Sequence, residues 1–291
     1  MPQFRTISAA ATLSWLAACA TSSATLVEQA AVPMTVVPVA KVEADLSAPD
    51  PWAAYWNASR PASFVLIAQP MVPPRPERVT TDGIQVQAIH DGTRVAFRLR
   101  WQDPEVSEAG RLGEYSDAVA LQFPVANDRL PPVTMGASGM PVHIFHWRAQ
   151  YQRDAERGKP DIKDLYPNAS IDMYSMDFKD AAGGSKEERE QFNPGVAVGN
   201  PQSFRKSGVD EILAEGFTTS AVQTGHGAVA RGEWKDGWWT VVIARPLVIE
   251  GGSTLREGAA TSVAWAVWQG GEREVGSRKS VAINWVPLKV Q

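Results

Sequence analysis

Residues 84–90 alternate apolar and polar side chains, and residues 95–101 alternate again after an Asp91-Gly92 turn. A period of two places successive side chains on opposite faces of a strand, so two such runs around Asp-Gly predict a β-hairpin. Residues 119–123 and 142–147 read as two further strands, separated by a loop that Pro131-Pro132 and Gly136 bracket. Residues 228–234 and 238–246 flank Lys235-Asp236-Gly237 as a second hairpin. Residues 261–269 and 280–286, separated by Gly270-Gly271, suggest a third. Between these blocks, residues 150–200 are polar and without clear period, an insertion long enough to hold small helices or a task of its own. Residues 209–214, entered through Ser207 and closed by Gly216-Phe217, read as one or two helical turns. The pattern as a whole predicts a mainly β fold, an antiparallel β-sandwich with a long, partly helical insertion.

The N-terminus breaks this pattern. Residues 1–6 carry one charge, Arg5, and residues 7–18 form an Ala-rich apolar run too short to span a membrane as a helix. The run ends Leu16-Ala17-Ala18-Cys19, which resembles a bacterial lipobox, where the cysteine becomes the acylated first residue. The expectation is a lipoprotein-type signal peptide over residues 1–18 and a lipidated Cys19. A flexible tether over 19–49 and a folded domain over 50–291 would follow. That places the chain in the periplasm, held to the membrane by its lipid. Cleavage as an ordinary secretory signal at Ala18 or Ala24 is the alternative.

Composition narrows the chemistry. With 28 Lys and Arg against 32 Asp and Glu, a net charge of -4 and no basic stretch interleaved with aromatics, there is no nucleic-acid footprint. One cysteine among 291 residues excludes an intrachain disulfide, a cysteine zinc site, an iron–sulfur cluster and a Cys-x-x-Cys-His haem attachment. Any haem must then be held without a covalent link. His143 and His146, three apart on a strand, point to opposite faces and do not form a metal pair. No phosphate loop, nucleophile elbow or hydrolase constellation is present. Trp147, Trp238, Trp239, Trp265, Trp268 and Trp285 suit either a sandwich core or a flat pocket for a sugar ring or a porphyrin. Methionines are mostly gap-fillers, but Met135 stands in a loop between strands, where a thioether can serve as a soft axial ligand to haem iron.

Several blocks together resemble a known family. Pro132-Val133-Thr134-Met135-Gly136 and Pro141-Val142-His143-Ile144-Phe145-His146-Trp147-Arg148-Ala149 come first. Gly199-Asn200-Pro201, Val209 through Phe217, and Ala264 through Gly270 leading to Arg278-Lys279-Ser280 follow in order. The family is that of the haem b-binding γ subunits of ethylbenzene dehydrogenase, dimethylsulfide dehydrogenase, selenate reductase and chlorate reductase. The resemblance covers about residues 50–288. It implies a β-sandwich holding one non-covalent haem b between a methionine and a lysine, acting as an electron carrier with no catalysis on this chain. It implies iron–sulfur and molybdenum catalytic subunits as partners, with a soluble cytochrome as external carrier. Carried onto this sequence, Met135 is the axial methionine, with Met140 its competitor. Lys206 is the expected lysine, with Lys179 and Lys186 competing. The family's γ subunits are soluble, so a lipid anchor at Cys19 is a departure. The same sandwich pattern over residues 88–103 also resembles carbohydrate-binding and DOMON-like domains, which would use the tryptophans as stacking platforms and need neither Met135 nor Lys206.

Overall fold

Period-two alternation becomes two facing sheets in the computed structural model, which describes residues 25–160, 162–169, 194–200, 202–203 and 205–291. Cys19 and the leader, together with Lys179 and Lys186, lie outside the described residues. The chain enters through β1 (Val32–Pro33), β2 (Val37–Lys41), β3 (Ala62–Val65) and β4 (Ile67–Ala68). The hairpin of β5 (Gly83–His90) and β6 (Arg94–Gln102) follows, then β7 (Ala118–Pro124) and β8 (Val142–Arg148). After the insertion come β9 (Val209–Ala214), β10 (Ala221–Gln223), β11 (Val229–Lys235) and β12 (Trp238–Pro246). The chain closes with β13 (Ala260–Trp268), β14 (Ser280–Val281) and β15 (Val286–Val290).

One sheet runs β15-β2-β5-β6-β12-β11, and the other β10-β9-β8-β7-β13. Strand β13 joins them: its first half pairs with β15, its second half with β7 and β14. Between the sheets the inward side chains form the main core, with Phe97, Trp101, Phe123, Phe145, Trp147, Trp239 and Trp265 among its members. Trp101, Trp147 and Trp239 meet with ring centroids 5.0 to 6.4 Å apart. Burying each such ring contributes roughly 1.5–3 kcal/mol.

The first two hairpins form where the turn chemistry places them. Asp91 Oδ1 accepts from the amides of Thr93 and Arg94 at 2.8 and 2.7 Å. Asp236 and Gly237 both take positive φ, 52° and 79°, the geometry that matches strand twist in a two-residue turn. The long insertion is partly helical, with α1 (Ala149–Arg157), α2 (Ile162–Leu165) and α3 (Pro194–Ala197) among the described residues.

Three expectations change. Residues 209–214 are strand β9, not helical turns: they ladder antiparallel to β8 over six residues, and Val209 and Asp210 lie buried on opposite faces. The fold also begins well before residue 50. Val37 and Val39 insert into the core from β2, which pairs parallel with β5 and β15, and Leu46 is buried against Trp56. Pro33 and Pro38 mask that alternation, since proline-rich segments read as linkers. The segment 261–286 is no simple hairpin, because β13 shares its length between β14, β15 and β7. Among the described residues no helix is long and apolar enough to cross a membrane.

Candidate functional site

The face of the second sheet that points away from the shared core carries several small side chains. Ala118 and Ala120 of β7, Ala214 of β9 and Ala266 of β13 form a floor with Val142, Ile144 and Trp268. Register aligns them: Ala120 lies between His146 and Ala266, and Ala118 between Arg148 and Trp268. Met135, Ile212, Val281 and Trp285 pack against this floor, so its rim is apolar on three sides.

Met135 is held there against its own backbone preference. Its φ is 69°, in the left-handed region that a long side chain rarely adopts, and such strain persists only where the surroundings impose it. Its carbonyl accepts from the Gly216 amide at 2.8 Å, and the Gln122 side-chain amide donates to the Val133 carbonyl at 2.9 Å. Trp285 Nε1 donates to the Pro131 carbonyl at 2.7 Å and ties the rim to the same loop. Gly136 must be glycine: at φ 77° a Cβ would stand 2.5 Å from the Met140 carbonyl and 3.1 Å from that of Ala214. Met140 exchanges backbone hydrogen bonds with Ala137 across this turn, while Met135 packs on the floor.

Lys279 precedes β14, with its backbone carbonyl accepting from the Gln69 amide at 3.0 Å. Its Nζ sits 4.8 Å from the Trp268 ring centroid. Burial pushes its pKa down to about 8, and no carboxylate pairs with it among the described residues. Trp268 is pinned by Nε1 donating to the Gly276 carbonyl at 3.0 Å, and its ring stacks with His146 at 4.7 Å and 28°. His146 is buried, and burial, followed by the charges of Arg148, Lys279 and Arg205, holds it well below the usual histidine range. Its Nε2 is buried without a hydrogen-bond partner.

The structure brings Met135 to the floor but not Lys206, which is exposed at the surface beside the buried Arg205. Among the described residues the lysine at the floor is Lys279. Its signal in the sequence is its place after the Trp265–Trp268 strand, in the block Arg278-Lys279-Ser280. As strand parity predicts, His143 points the other way, into the core. Its Nε2 lies 2.7 Å from Glu211 Oε1, and its Nδ1 accepts from the Ser253 amide at 3.0 Å. His226 Nδ1 reaches the same Glu211 oxygen at 2.6 Å. No cluster of three or more His, Cys, Asp or Glu residues among those described can hold a bare metal ion.

These features fit a flat iron macrocycle better than a free ion. A planar group needs an apolar surface to lie on, and a low-spin haem iron would need two donor side chains. A thioether in an imposed backbone conformation and an amine already disposed to lose its proton are such donors. The unpartnered His146 Nε2 beside them is the mark of a missing polar ligand.

A family model described as ethylbenzene dehydrogenase matches residues 53–280. A Haloferax mediterranei protein named as a candidate respiratory nitrate reductase heme subunit (ORF7) is 24% identical, covering 86% of this chain and 71% of its own length. The dimethylsulfide dehydrogenase subunit gamma of Rhodovulum sulfidophilum is 26% identical over 69% of this chain, and the match spans 58% of that relative. The chlorate reductase subunit gamma of Ideonella dechloratans is 23% identical, covering 94% of this chain and 92% of its own. Among solved structures, a family 9 carbohydrate-binding module from Caldicellulosiruptor kristjanssonii in complex with glucose matches at a TM-score of 0.42. Its identity is 8%, and the match covers 88% of this chain and 95% of that one.

Proposed function

The chain belongs to the ethylbenzene dehydrogenase family, and from that premise we propose that it is the haem b-carrying, electron-transferring γ subunit of an oxidoreductase complex. One observation carries the reading: a methionine held in left-handed backbone and a lysine with no carboxylate partner among the described residues stand at the same alanine-bearing floor, the lysine over its Trp268. The names of its relatives, two gamma subunits and a heme subunit, support it. In this reading one haem b would be held without a covalent link, by Met135 and Lys279 in place of the Met135 and Lys206 pair.

When bound, the iron supplies reversible one-electron chemistry. A lysine ordinarily keeps its proton to a pKa near 10.4, so it offers no lone pair at neutral pH. Around Lys279, burial has already weakened the hold on that proton, which lowers the cost of turning the side chain into a donor. The Met135 thioether is a soft donor that favours the reduced state. Val142, Ile144, Ile212 and Trp285 exclude water from the floor. With both donors committed, no position is left for a substrate, so this chain carries electrons and leaves the catalysis to its partners. Those partners are an iron–sulfur subunit and a molybdenum catalytic subunit, with a soluble cytochrome receiving or supplying electrons at the other end. The leader over residues 1–18 supports export to the periplasm, and Cys19 supports a lipid anchor.

The sugar-binding alternative loses three of its six candidate platforms, because Trp147, Trp239 and Trp265 are core. Purified protein supplied with haem should take it up in equimolar amount and show sharp, six-coordinate, low-spin bands when reduced with dithionite. A folded protein that stays colourless overturns the proposal.

A further inference from the structure

The floor is not the same at its two ends. Along the outward face of β8 the side chains run Val142, Ile144, His146, Arg148, and β9 beside it runs Ala214, Ile212, Asp210. The end at Val142 and Ala214 is closed by Gly136 and carries one polar side chain, Gln122, whose amide is spent on the Val133 carbonyl. The end at His146 and Arg148 gathers cations. Arg205 is buried there with its guanidinium 3.3 Å from the Tyr151 ring centroid, and Arg148 lies over the same ring at 4.7 Å. Asp210 of β9 is taken: both its oxygens accept from Arg205, at 2.5 and 3.2 Å, and Asp154 of α1 is taken by Arg153.

That leaves an excess of positive charge and free donors. Arg148 makes no ion pair among the described residues. Arg205 Nε and His146 Nε2 are both buried without a partner, in side chains that are 91% and 92% buried. The stack of His146 on Trp268 fixes its ring, so the unpartnered nitrogen is not free to swing to another acceptor. Two buried N–H groups without acceptors are costly unless an anion completes them.

We propose that this end is a carboxylate-binding subsite that sets the orientation of the haem: Arg148, Arg205 Nε and His146 Nε2 receive its two propionates. His146 acts as a hydrogen-bond donor in its Nε2–H tautomer, so it is a positioning residue and not an iron ligand. The inference rests on the haem reading above and adds which way round the group lies. The apolar edge of the porphyrin goes to Val142 and Ala214, and the charged edge to β8 and α1. Charge-assisted hydrogen bonds to carboxylates are the strong class, and each is expected to change affinity by about tenfold.

The test compares two porphyrins on the full-length protein: haem b and its dimethyl ester, which keeps the iron and the ring but has no carboxylates. Wild type should bind the ester at least about tenfold more weakly, with the same six-coordinate spectrum. Arg148→Gln should weaken haem b by about tenfold and leave the ester unchanged, and His146→Gln, which keeps a donor, should bind haem b better than His146→Ala. Equal binding of both porphyrins by wild type overturns the subsite while leaving the haem reading in place. Equal losses for both porphyrins in Arg148→Gln also overturn it, since they show a packing role. Loss of the low-spin spectrum in His146→Gln would make that residue an iron ligand and likewise overturn the inference. Failure of wild type to take up either porphyrin removes the haem reading itself.

Discussion

Strand β8 presents two histidines three residues apart, and the two faces of the second sheet treat them in opposite ways. On the inner face, His143 has both ring nitrogens engaged, by Glu211 and by Ser253, among Phe123, Phe145 and Trp147. On the outer face, His146 is as deeply buried, yet its Nε2 has no partner, and its neighbours on β7 and β13 are alanines. The same strands thus give two buried histidines different surroundings. On the inner side large rings interdigitate around a histidine whose nitrogens are both engaged. On the outer side a buried nitrogen without a partner stands among alanines, which is where a bound polar group would find a place.

The largest effects should come from exchanging volume between the two faces. Phe145→Ala removes a fully buried ring from the core and should cost about 3–5 kcal/mol in urea denaturation. Ala120→Leu adds volume to the floor instead. It should cost about 1–3 kcal/mol, less than Phe145→Ala, yet weaken haem uptake by at least about tenfold. Should Ala120→Leu destabilise the protein as severely as Phe145→Ala, the outer face is ordinary core and the comparison fails.

The next contrast is between the lysines. Lys279→Ala should convert the six-coordinate spectrum to a five-coordinate or water-ligated one, with folded stability within about 1 kcal/mol of wild type. Lys206→Ala should leave the spectrum unchanged, because the side chain is exposed to solvent away from the floor. The reverse pattern would return Lys206 to the role that sequence position suggested and leave the desolvation of Lys279 without a function.

The difference between the two lysines shows what was legible beforehand. Alternation over residues 84–101 and 228–246, with Asp-Gly turns, was enough to read two hairpins and the sandwich, since period two is a local property. Met135 stood out as a methionine in a loop bracketed by proline and glycine. The lysine proposed here did not, because its place at the floor depends on Trp268 and on the turn after β13, contacts made only on folding. Strand β9 was misread for a related reason. Val209-Asp210-Glu211-Ile212-Leu213-Ala214 has neither clean alternation nor a helical stripe, because both its faces are partly buried and its acids are paired by Arg205, His143 and His226. Proline at 33 and 38 hid strand β2 in the same way: a strand interior to a sheet rarely carries proline, so the pattern pointed to a tether.

The smallest expected effect sharpens the comparison from the inner side, where a polar pair holds its own proton instead of awaiting a ligand. Asp117, fully buried, accepts from the amides of Ser107 and Gly270 and from Trp239 Nε1. Beside it Asp103 Oδ2 is buried without a fixed donor. Burial first, and the neighbouring Asp117 charge second, push the Asp103 carboxyl up to about 8. Burial likewise pushes Asp117 up to about 6. An unfolded aspartate titrates near 3.9, so between about pH 4 and 8 the folded chain holds a proton that unfolding releases. Stability is therefore full below about pH 4 and falls as pH rises through 8. The slope for one proton gives about 1 kcal/mol between pH 7 and 8. For a chain of this size that is a drop of about 2–4 °C in midpoint. Asp103→Asn carries a permanently neutral group that can donate to Asp117, and it should flatten this dependence while leaving haem uptake on the outer face untouched. Thermal unfolding of both proteins from pH 5 to 9 decides it: parallel curves would mean that the two carboxylates share no proton, and that the inner face is held by packing alone.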